Sequence, residues 1–421
     1  MRPWAYIIGA GLAGLAAAVR LSQAGVGITL FEAAKQAGGR CRSFYDETLK
    51  RRIDNGNHLL LTGNTAAFSY LADIGAADRL VGPERAEYRF TDLETGRRWL
   101  LKPNRGRVPW WIFAPSRRVP GTRAADYGRA LKLAFASASA TVSDCLGDSG
   151  AAFERFWEPL AVAVLNTAAA EGAARLLWPV VRETFGRGEA ASRPRIAAEG
   201  LSETFVDPAL ACLDARGGRL HLNRRVQHLA REGGRIRAIT LADGETVAVG
   251  EGDAVILAVP AAGAARLLPG LSVPEAVRPI VNGHFRLDRR LADWRIEGVI
   301  GGLSQWVFVR GDVASVTVSA AVEAAEAPAE AVLARMWREV AHVLALGDTA
   351  RPVAARLIKE RRATFAQTPE EVARRSGCRT PFANLWLAGD WTDTGLPATI
   401  EGSVRSGNTA AAQALAFIAS S

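Results

Sequence analysis

Ala5-Tyr6-Ile7-Ile8-Gly9-Ala10-Gly11-Leu12-Ala13-Gly14 is the stretch that decides the fold. Its first four residues predict a short buried strand. The pattern G-x-G-x-x-G follows directly, and then a run of helix formers from Leu15 to Leu21. Val26 to Phe31 predicts a second strand. A strand, a glycine-rich turn, a helix and a second strand, in this order, form the context that a dinucleotide site requires.

Each glycine of the motif has a separate physical reason. Gly9 permits the tight turn, Gly11 lets the backbone approach a pyrophosphate, and Gly14 lets the helix pack closely on the strands. Leu12 and Ala13 open the helix, whose N-terminal amides and positive dipole end favour phosphate groups. We therefore predict a dinucleotide site here, the alternative being a glycine-rich turn in an unrelated α/β unit.

The residues after the second strand indicate which dinucleotide is bound. Glu32 stands where a carboxylate accepts hydrogen bonds from a ribose, and that charge argues against NADP. The stretch from Glu32 and Ala33 to Gly38-Gly39-Arg40 resembles the flavin amine oxidase and phytoene desaturase superfamily. The resemblance implies that FAD is the cofactor, with the acid at its adenosine ribose and Arg40 at its phosphates.

Three later segments carry the same resemblance. Gly389-Asp390 follows a predicted strand and is expected at the pyrophosphate and ribityl chain. The stretch from Ile400 through Glu401-Gly402 to Ser406-Gly407 resembles the closing E-G-x-x-x-S-G motif, whose helix N-terminus is expected at the flavin ring. The remaining cofactor residues that the resemblance implies are Gly56, Asn57 and His58 beside the flavin and Val226 beside the adenine.

Together these motifs predict an α/β protein of two domains. The first is a Rossmann-like FAD-binding domain of the glutathione-reductase type, formed by residues 1–80, 200–272 and 383–421. The second is a discontinuous α+β substrate domain, formed by residues 81–199 and 273–382. Arg235 to Leu241 and the residues after Gly244 predict a hairpin within the first domain.

The segment Asp54-Asn55-Gly56-Asn57-His58 narrows the resemblance. D-x-G-x-H followed by aliphatic residues is most similar to the bacterial hydroxysqualene dehydroxylases of hopanoid synthesis. Amine oxidases commonly place an aromatic residue before the E-G pair, and here Thr399 and Ile400 stand there, which disfavours a cage for a cationic amine. Carotenoid desaturases are usually longer, so a full-size carotene tunnel is in doubt.

The dehydroxylase resemblance implies reduction of hydroxysqualene, an apolar isoprenoid alcohol, to squalene. Hydride from reduced FAD would replace the hydroxyl group, which leaves as water after protonation. The candidate proton donors are His58, then Glu401 and Asp393, with a flavin-bound water molecule as the alternative. For His58, a structural hydrogen bond to backbone or flavin is favoured over the role of donor. Other hypotheses are a phytoene-type desaturase, an amine oxidase and a non-catalytic FAD-binding scaffold. The electron donor for FAD is unknown.

Composition limits the partners. The chain has 421 residues, of which 49% are hydrophobic and 23% charged, with a net charge of +9. The basic residues are spread along the chain, so we predict no nucleic-acid partner. Four scattered cysteines and five scattered histidines predict no metal site and a reducing, cytoplasmic location. The aromatic cluster Trp110 to Phe113, with its flanking arginines, has two interpretations: core, or peripheral contact with the anionic inner face of a membrane.

Overall fold

The computed structural model describes residues 3–347 and 349–420. The first ten strands are β1 (Trp4–Ile8), β2 (Gly27–Phe31), β3 (Ser43–Asp46), β4 (Arg51–Asp54), β5 (Leu60–Leu61), β6 (Leu80–Val81), β7 (Tyr88–Asp92), β8 (Arg98–Leu101), β9 (Pro194–Ala197) and β10 (Arg219–His221). The others are β11 (Val226–Glu232), β12 (Arg235–Leu241), β13 (Thr246–Ala248), β14 (Ala254–Leu257), β15 (Val277–Arg286), β16 (Ala292–Ile300), β17 (Trp306–Gly311), β18 (Val313–Val318), β19 (Ala354–Phe365) and β20 (Leu385–Leu387).

The α-helices are α1 (Leu12–Gln23), α2 (Thr65–Asp73), α3 (Ala124–Gly128), α4 (Val142–Leu146), α5 (Glu158–Leu165), α6 (Ala174–Glu183), α7 (Asp207–Asp214), α8 (Ala261–Leu267), α9 (Val322–Glu326), α10 (Ala329–Leu344), α11 (Pro369–Ala373) and α12 (Ile400–Ser420). Short 3₁₀ helices cover Trp110–Phe113, Arg129–Phe135, Phe185–Arg187 and Glu189–Ala191, and π-helical turns cover Phe153–Trp157 and Ser202–Val206.

A five-stranded parallel sheet carries the glycine motif. Its order is β10-β2-β1-β14-β20, so strands from both ends of the chain belong to one sheet, with β14 between β1 and β20. The uncharged run Pro3 to Val19, which could be mistaken for a membrane span, forms β1 and the first turns of α1. Within the described residues, no helix is long and apolar enough to cross a membrane. The predicted α/β class with a Rossmann-type sheet is confirmed.

A seven-stranded sheet forms the second large layer. Its order is β19-β15-β18-β17-β16-β7-β8, antiparallel except where β16 pairs with β7. Helix α10 covers one face, where Met336 is fully buried and the rings of Phe285 and Trp337 lie 5.4 Å apart. The other face carries the segment that follows β4, and this contact brings the two sheets together.

The remaining elements complete the molecule. Strands β11, β12 and β13 form a small antiparallel sheet that contains the predicted hairpin. Helices α3 to α6 build an aromatic block, in which Phe156 and Trp157 are buried with ring centroids 4.6 Å apart. Trp111 is 4% exposed and belongs to this core, whereas Trp110 is 49% exposed. The residue limits of the two domains stay a prediction.

Candidate functional site

The glycine-rich turn has the geometry of a phosphate cradle. Gly9 has φ +107°, and a Cβ there would lie 2.4 Å from the carbonyl oxygen of Ala258. A Cβ on Gly14 would lie 2.0 Å from the Gly9 oxygen, because α1 passes directly over the turn. A Cβ on Gly11, in contrast, would meet nothing within 4 Å. The turn is therefore closed on the protein side and open on the side where a pyrophosphate would approach.

The N-terminus of α1 faces this open side. Gly11 is its N-cap, and no side chain caps the helix. Leu12 and Ala13 form the buried first turn. The second glycine turn lies against the first: the Gly38 amide donates to the Ala10 carbonyl over 2.8 Å, and a Cβ on Gly39 would lie 3.4 Å from Cα of Gly11. An uncapped helix terminus beside two glycine turns suits an anionic diphosphate.

Glu32 lies at the end of β2, where an adenosine ribose is expected. Its carboxylate accepts hydrogen bonds from the Ala10 amide and the Ala34 amide, each over 2.8 Å. These bonds hold the side chain at the edge of the first glycine turn, with Ala33 exposed beside it. The backbone of residues 221–224 bonds to the backbone of residues 32–34, which places the 9% exposed Val226 on the same side.

Arg40 and Asp390 join the two ends of the chain. The Arg40 guanidinium lies 2.6 Å from Oδ1 of Asp390, and it also donates to the Ala363 carbonyl over 2.5 Å. The Asp390 carboxylate raises the pKa of Arg40 above its ordinary value, against the effect of burial. Gly389 is held by its amide, which donates to Oγ of Ser406 over 2.8 Å. Two motifs predicted for the same cofactor therefore lie together.

The segment Gly56-Asn57-His58 lies against the seven-stranded sheet, where the Asn57 amide donates to the Thr317 hydroxyl, and each of its residues is partly exposed. Burial lowers the pKa of His58 to about 4; Arg40 acts in the same direction and Asp54 opposes both. The imidazole is therefore neutral at pH 7. A neutral ring can donate or accept one hydrogen bond, but it is a poor source of a proton.

Glu401 is 4% exposed and makes structural contacts. Its carboxylate oxygens accept from the amides of Ala66 over 3.0 Å and Ala67 over 2.8 Å, at the N-terminus of α2. Arg405 adds an ion pair at 2.9 Å. These contacts stabilise an ionised carboxylate and attach α12 to α2. Ile400, 7% exposed, begins α12 beside it.

Asp393 lies in an exposed loop. Its side chain is 52% exposed, accepts a hydrogen bond from the Gly395 amide over 3.2 Å and lies 3.9 Å from the guanidinium of Arg375. The three candidate proton donors thus differ in their surroundings: His58 is partly exposed and follows a residue bonded to the seven-stranded sheet, Glu401 is engaged by amides and an arginine, and Asp393 faces solvent.

Two residues that we did not predict shape the C-terminal loop. Arg375, 7% exposed, donates to the carbonyls of Trp391 and Leu396 over 3.2 and 2.9 Å, and to that of Thr392. Gln367, fully buried, accepts from the Ala398 amide over 2.9 Å. Neither residue belongs to a sequence motif, and a buried polar side chain whose partners are distant backbone groups leaves no local signal.

The sequence matches the model of the flavin-containing amine oxidoreductase family over residues 12–415. The chain belongs to the flavin-containing amine oxidoreductase family. Membership in this family makes it an FAD-dependent oxidoreductase, and the residues fit that cofactor: an open glycine turn, an uncapped helix terminus, the Glu32 carboxylate beside that turn, and the Arg40–Asp390 ion pair that joins the two ends of the chain.

Similarity to curated proteins extends along nearly the whole chain. Hydroxysqualene dehydroxylase of Rhodopseudomonas palustris is 46% identical over 411 residues, covering 98% of each chain. That of Sinorhizobium fredii is 45% identical over 410 residues, covering 97% of this chain and 98% of its own. A crystal structure of putrescine oxidase superposes with a TM-score of 0.72 at 18% identity and covers 99% of each chain, which shows a shared fold.

Proposed function

We propose that this flavoenzyme reduces hydroxysqualene to squalene. The observation that carries the proposal is the similarity to hydroxysqualene dehydroxylases, 46% identity over 98% of the chain. The oxidation of amines has less support, because Thr399 and Ile400 occupy the positions before Glu401-Gly402 where amine oxidases commonly carry an aromatic residue.

An apolar wall beside His58 supports a hydrocarbon substrate. Leu59, the residue after His58, and Trp306 pack against three buried side chains, which are Ile196, Ile296 and Phe308. These three are at most 9% exposed, and none of the five carries a charge. In the proposed reaction this cluster would form the apolar boundary of the isoprenoid site, where burial of the chain removes apolar area from water and keeps water from the reacting carbon.

The chemistry needs one proton and one hydride. The carbinol C–O bond breaks with its electron pair on oxygen, a proton converts the leaving group to water, and a new C–H bond forms at the same allylic system. FAD, when bound and reduced, supplies the hydride. We propose that neutral His58 orients the hydroxyl group through a hydrogen bond and that a water molecule relays a proton from solvent, so that alcohol, proton and hydride give hydrocarbon and water. Glu401 and Asp393 then have structural roles.

Product analysis tests the proposal. Chemically reduced protein incubated without oxygen with hydroxysqualene is expected to form squalene. A parallel incubation of oxidised protein with phytoene tests the desaturase alternative, which predicts reduction of the flavin and a more unsaturated hydrocarbon. Phytoene conversion without squalene formation would replace the proposal with a desaturase.

We also propose peripheral contact with an anionic membrane. The 3₁₀ helices at Trp110–Phe113 and Arg129–Phe135 expose large apolar side chains, which are Trp110 (49%), Phe113 (70%), Leu131 (64%) and Phe135 (88%). Exposed basic residues accompany them, namely Arg105, Arg107 and Lys132. Apolar side chains among cations suit a surface of acyl chains and anionic headgroups, from which an isoprenoid substrate would enter.

A further inference from the structure

One face of the seven-stranded sheet carries a cluster of polar side chains, although the side chains around it are apolar. Asn282 and His284 on β15 lie directly across from Thr317 and Ser315 on β18. All four side chains are at most 7% exposed. The opposite face of the same strands packs apolar residues against α10. Buried polar groups cost free energy unless they are paired, so this cross-strand set needs a structural reason.

Two of these residues form a hydrogen-bonded chain with the segment after β4. The Asn57 amide donates to the Thr317 hydroxyl over 3.0 Å, and that hydroxyl donates to Oδ1 of Asn282 over 2.9 Å. The Asn282 amide then points at the Asn55 carbonyl over 3.4 Å. The Thr317 hydroxyl therefore accepts one bond and donates one, which uses its single proton.

The neighbours of Asn57 are held against the same strands. Asp54 pairs with Arg310 of β17 at 2.5 Å, and the Asn55 amide donates to Glu360 of β19 over 3.2 Å. Gly56 lies so close to the sheet that a Cβ there would be 3.2 Å from the Asn282 amide nitrogen. Consecutive residues of this segment are thus fastened to β15, β17, β18 and β19.

We propose that Asn282 and Thr317 are positioning residues of the FAD site. Their hydrogen bonds fix the positions of Asn55, Gly56 and Asn57 above the sheet. His58 is the next residue, so its position beside the flavin is fixed as well. The inference rests on FAD binding beside that segment and does not depend on the identity of the substrate. Removing the Thr317 hydroxyl leaves the Asn57 amide and the Asn282 carbonyl oxygen without this partner, so the segment must shift.

The test compares Thr317→Val, which keeps the size of the side chain, with Thr317→Ser, which keeps the hydroxyl. Ser315→Ala is the matched control, because Ser315 is a buried hydroxyl on the same strand that bonds to His284 over 2.8 Å. The readouts are the FAD dissociation constant, the absorption spectrum of bound FAD and its midpoint potential. None of these uses hydroxysqualene, so their outcome is independent of the proposed reaction.

We expect Thr317→Val to weaken FAD binding roughly tenfold, the effect of one buried hydrogen bond, and to shift the flavin spectrum and potential. Thr317→Ser should restore all three values, and Ser315→Ala should leave them near wild type. Should Thr317→Val not fold, Asn282→Ala removes the acceptor of the Thr317 hydroxyl and the donor to the Asn55 carbonyl, and the same shifts are expected. Wild-type flavin properties in the variant that folds, or equal shifts in Ser315→Ala, would overturn the proposal.

Discussion

Glu32 combines two tasks in one side chain. Its carboxylate holds the glycine turn through the Ala10 amide, and it lies where the FAD ribose is expected. Glu32→Ala should weaken FAD binding by about 1.5–3 kcal/mol for each charge-assisted bond lost, roughly 10- to 150-fold in Kd. Glu32→Gln, which keeps one acceptor oxygen, should lose less. Fluorescence titration measures both, and wild-type affinity in Glu32→Ala would mean that this carboxylate does not meet the cofactor.

His58 provides a test of the reaction chemistry. Since burial lowers its pKa to about 4, a neutral imidazole should be replaceable by another hydrogen-bonding group. We expect His58→Gln to keep its FAD and to turn over within about threefold of wild type. General acid catalysis contributes about 10²- to 10⁴-fold, so a loss of that size in single-turnover assays, with FAD content unchanged, would assign the proton to His58.

The same pKa predicts a dependence of stability on pH. The unfolded histidine titrates near 6.5 and the folded one near 4, so the unfolded chain binds more protons between these values. The contribution of neutral His58 to the free energy of unfolding is fully present above pH 6.5 and is lost as the pH falls toward 4. In urea unfolding experiments over this pH range, the free energy of unfolding should fall less steeply with decreasing pH for His58→Gln than for wild type. His228→Gln, at an exposed position, is the control and should follow wild type.

At the scale of elements, two glycines in the turn between β1 and α1 should have different roles, one in the stability of the fold and the other in FAD binding. Gly14→Ala places a Cβ 2.0 Å from a backbone oxygen and should destabilise the protein by about 1–3 kcal/mol or more. Gly11→Ala meets nothing within 4 Å in the protein, so it should fold normally and lose FAD affinity at least tenfold, roughly the worth of one lost contact. Thermal unfolding of the apoproteins and FAD titration distinguish the two; equal behaviour would contradict the assigned roles.

The elements also show how far sequence reasoning extends. The strand, turn, helix and strand around Gly9 to Gly14 were predictable because their signal is local. Arg40 and Asp390 were named as candidates because each belongs to a recognisable motif, but their ion pair, which spans the chain, was not predicted. The pairing of Asn282 with Thr317 was not predictable, since it depends on the register of β15 and β18. Glu401 was named as a candidate from its motif, whereas its bonds to α2 arise from tertiary packing and leave no local signal.

At the scale of the whole molecule, the exposed aromatic residues lie on the surface of the helical block. If they contact a membrane, binding to anionic vesicles should weaken as salt rises. Trp110→Ser with Phe113→Ser should reduce it further, because both side chains are largely exposed while Trp111 remains in the core. Val353→Ser, at a 55% exposed position elsewhere, is the control in sedimentation assays. If the double variant binds vesicles as well as wild type does, these aromatic residues do not contact the membrane.

The central claim is that the reduced enzyme delivers hydride to an allylic alcohol. The most direct measurement is an anaerobic single turnover with hydroxysqualene, after chemical reduction of the flavin in deuterated buffer, followed by its absorbance and by mass spectrometry of the product. We predict that oxidised FAD and squalene form in equal amounts, with one deuterium at the former allylic system. Flavin that stays reduced while the alcohol is recovered unchanged would contradict the claim.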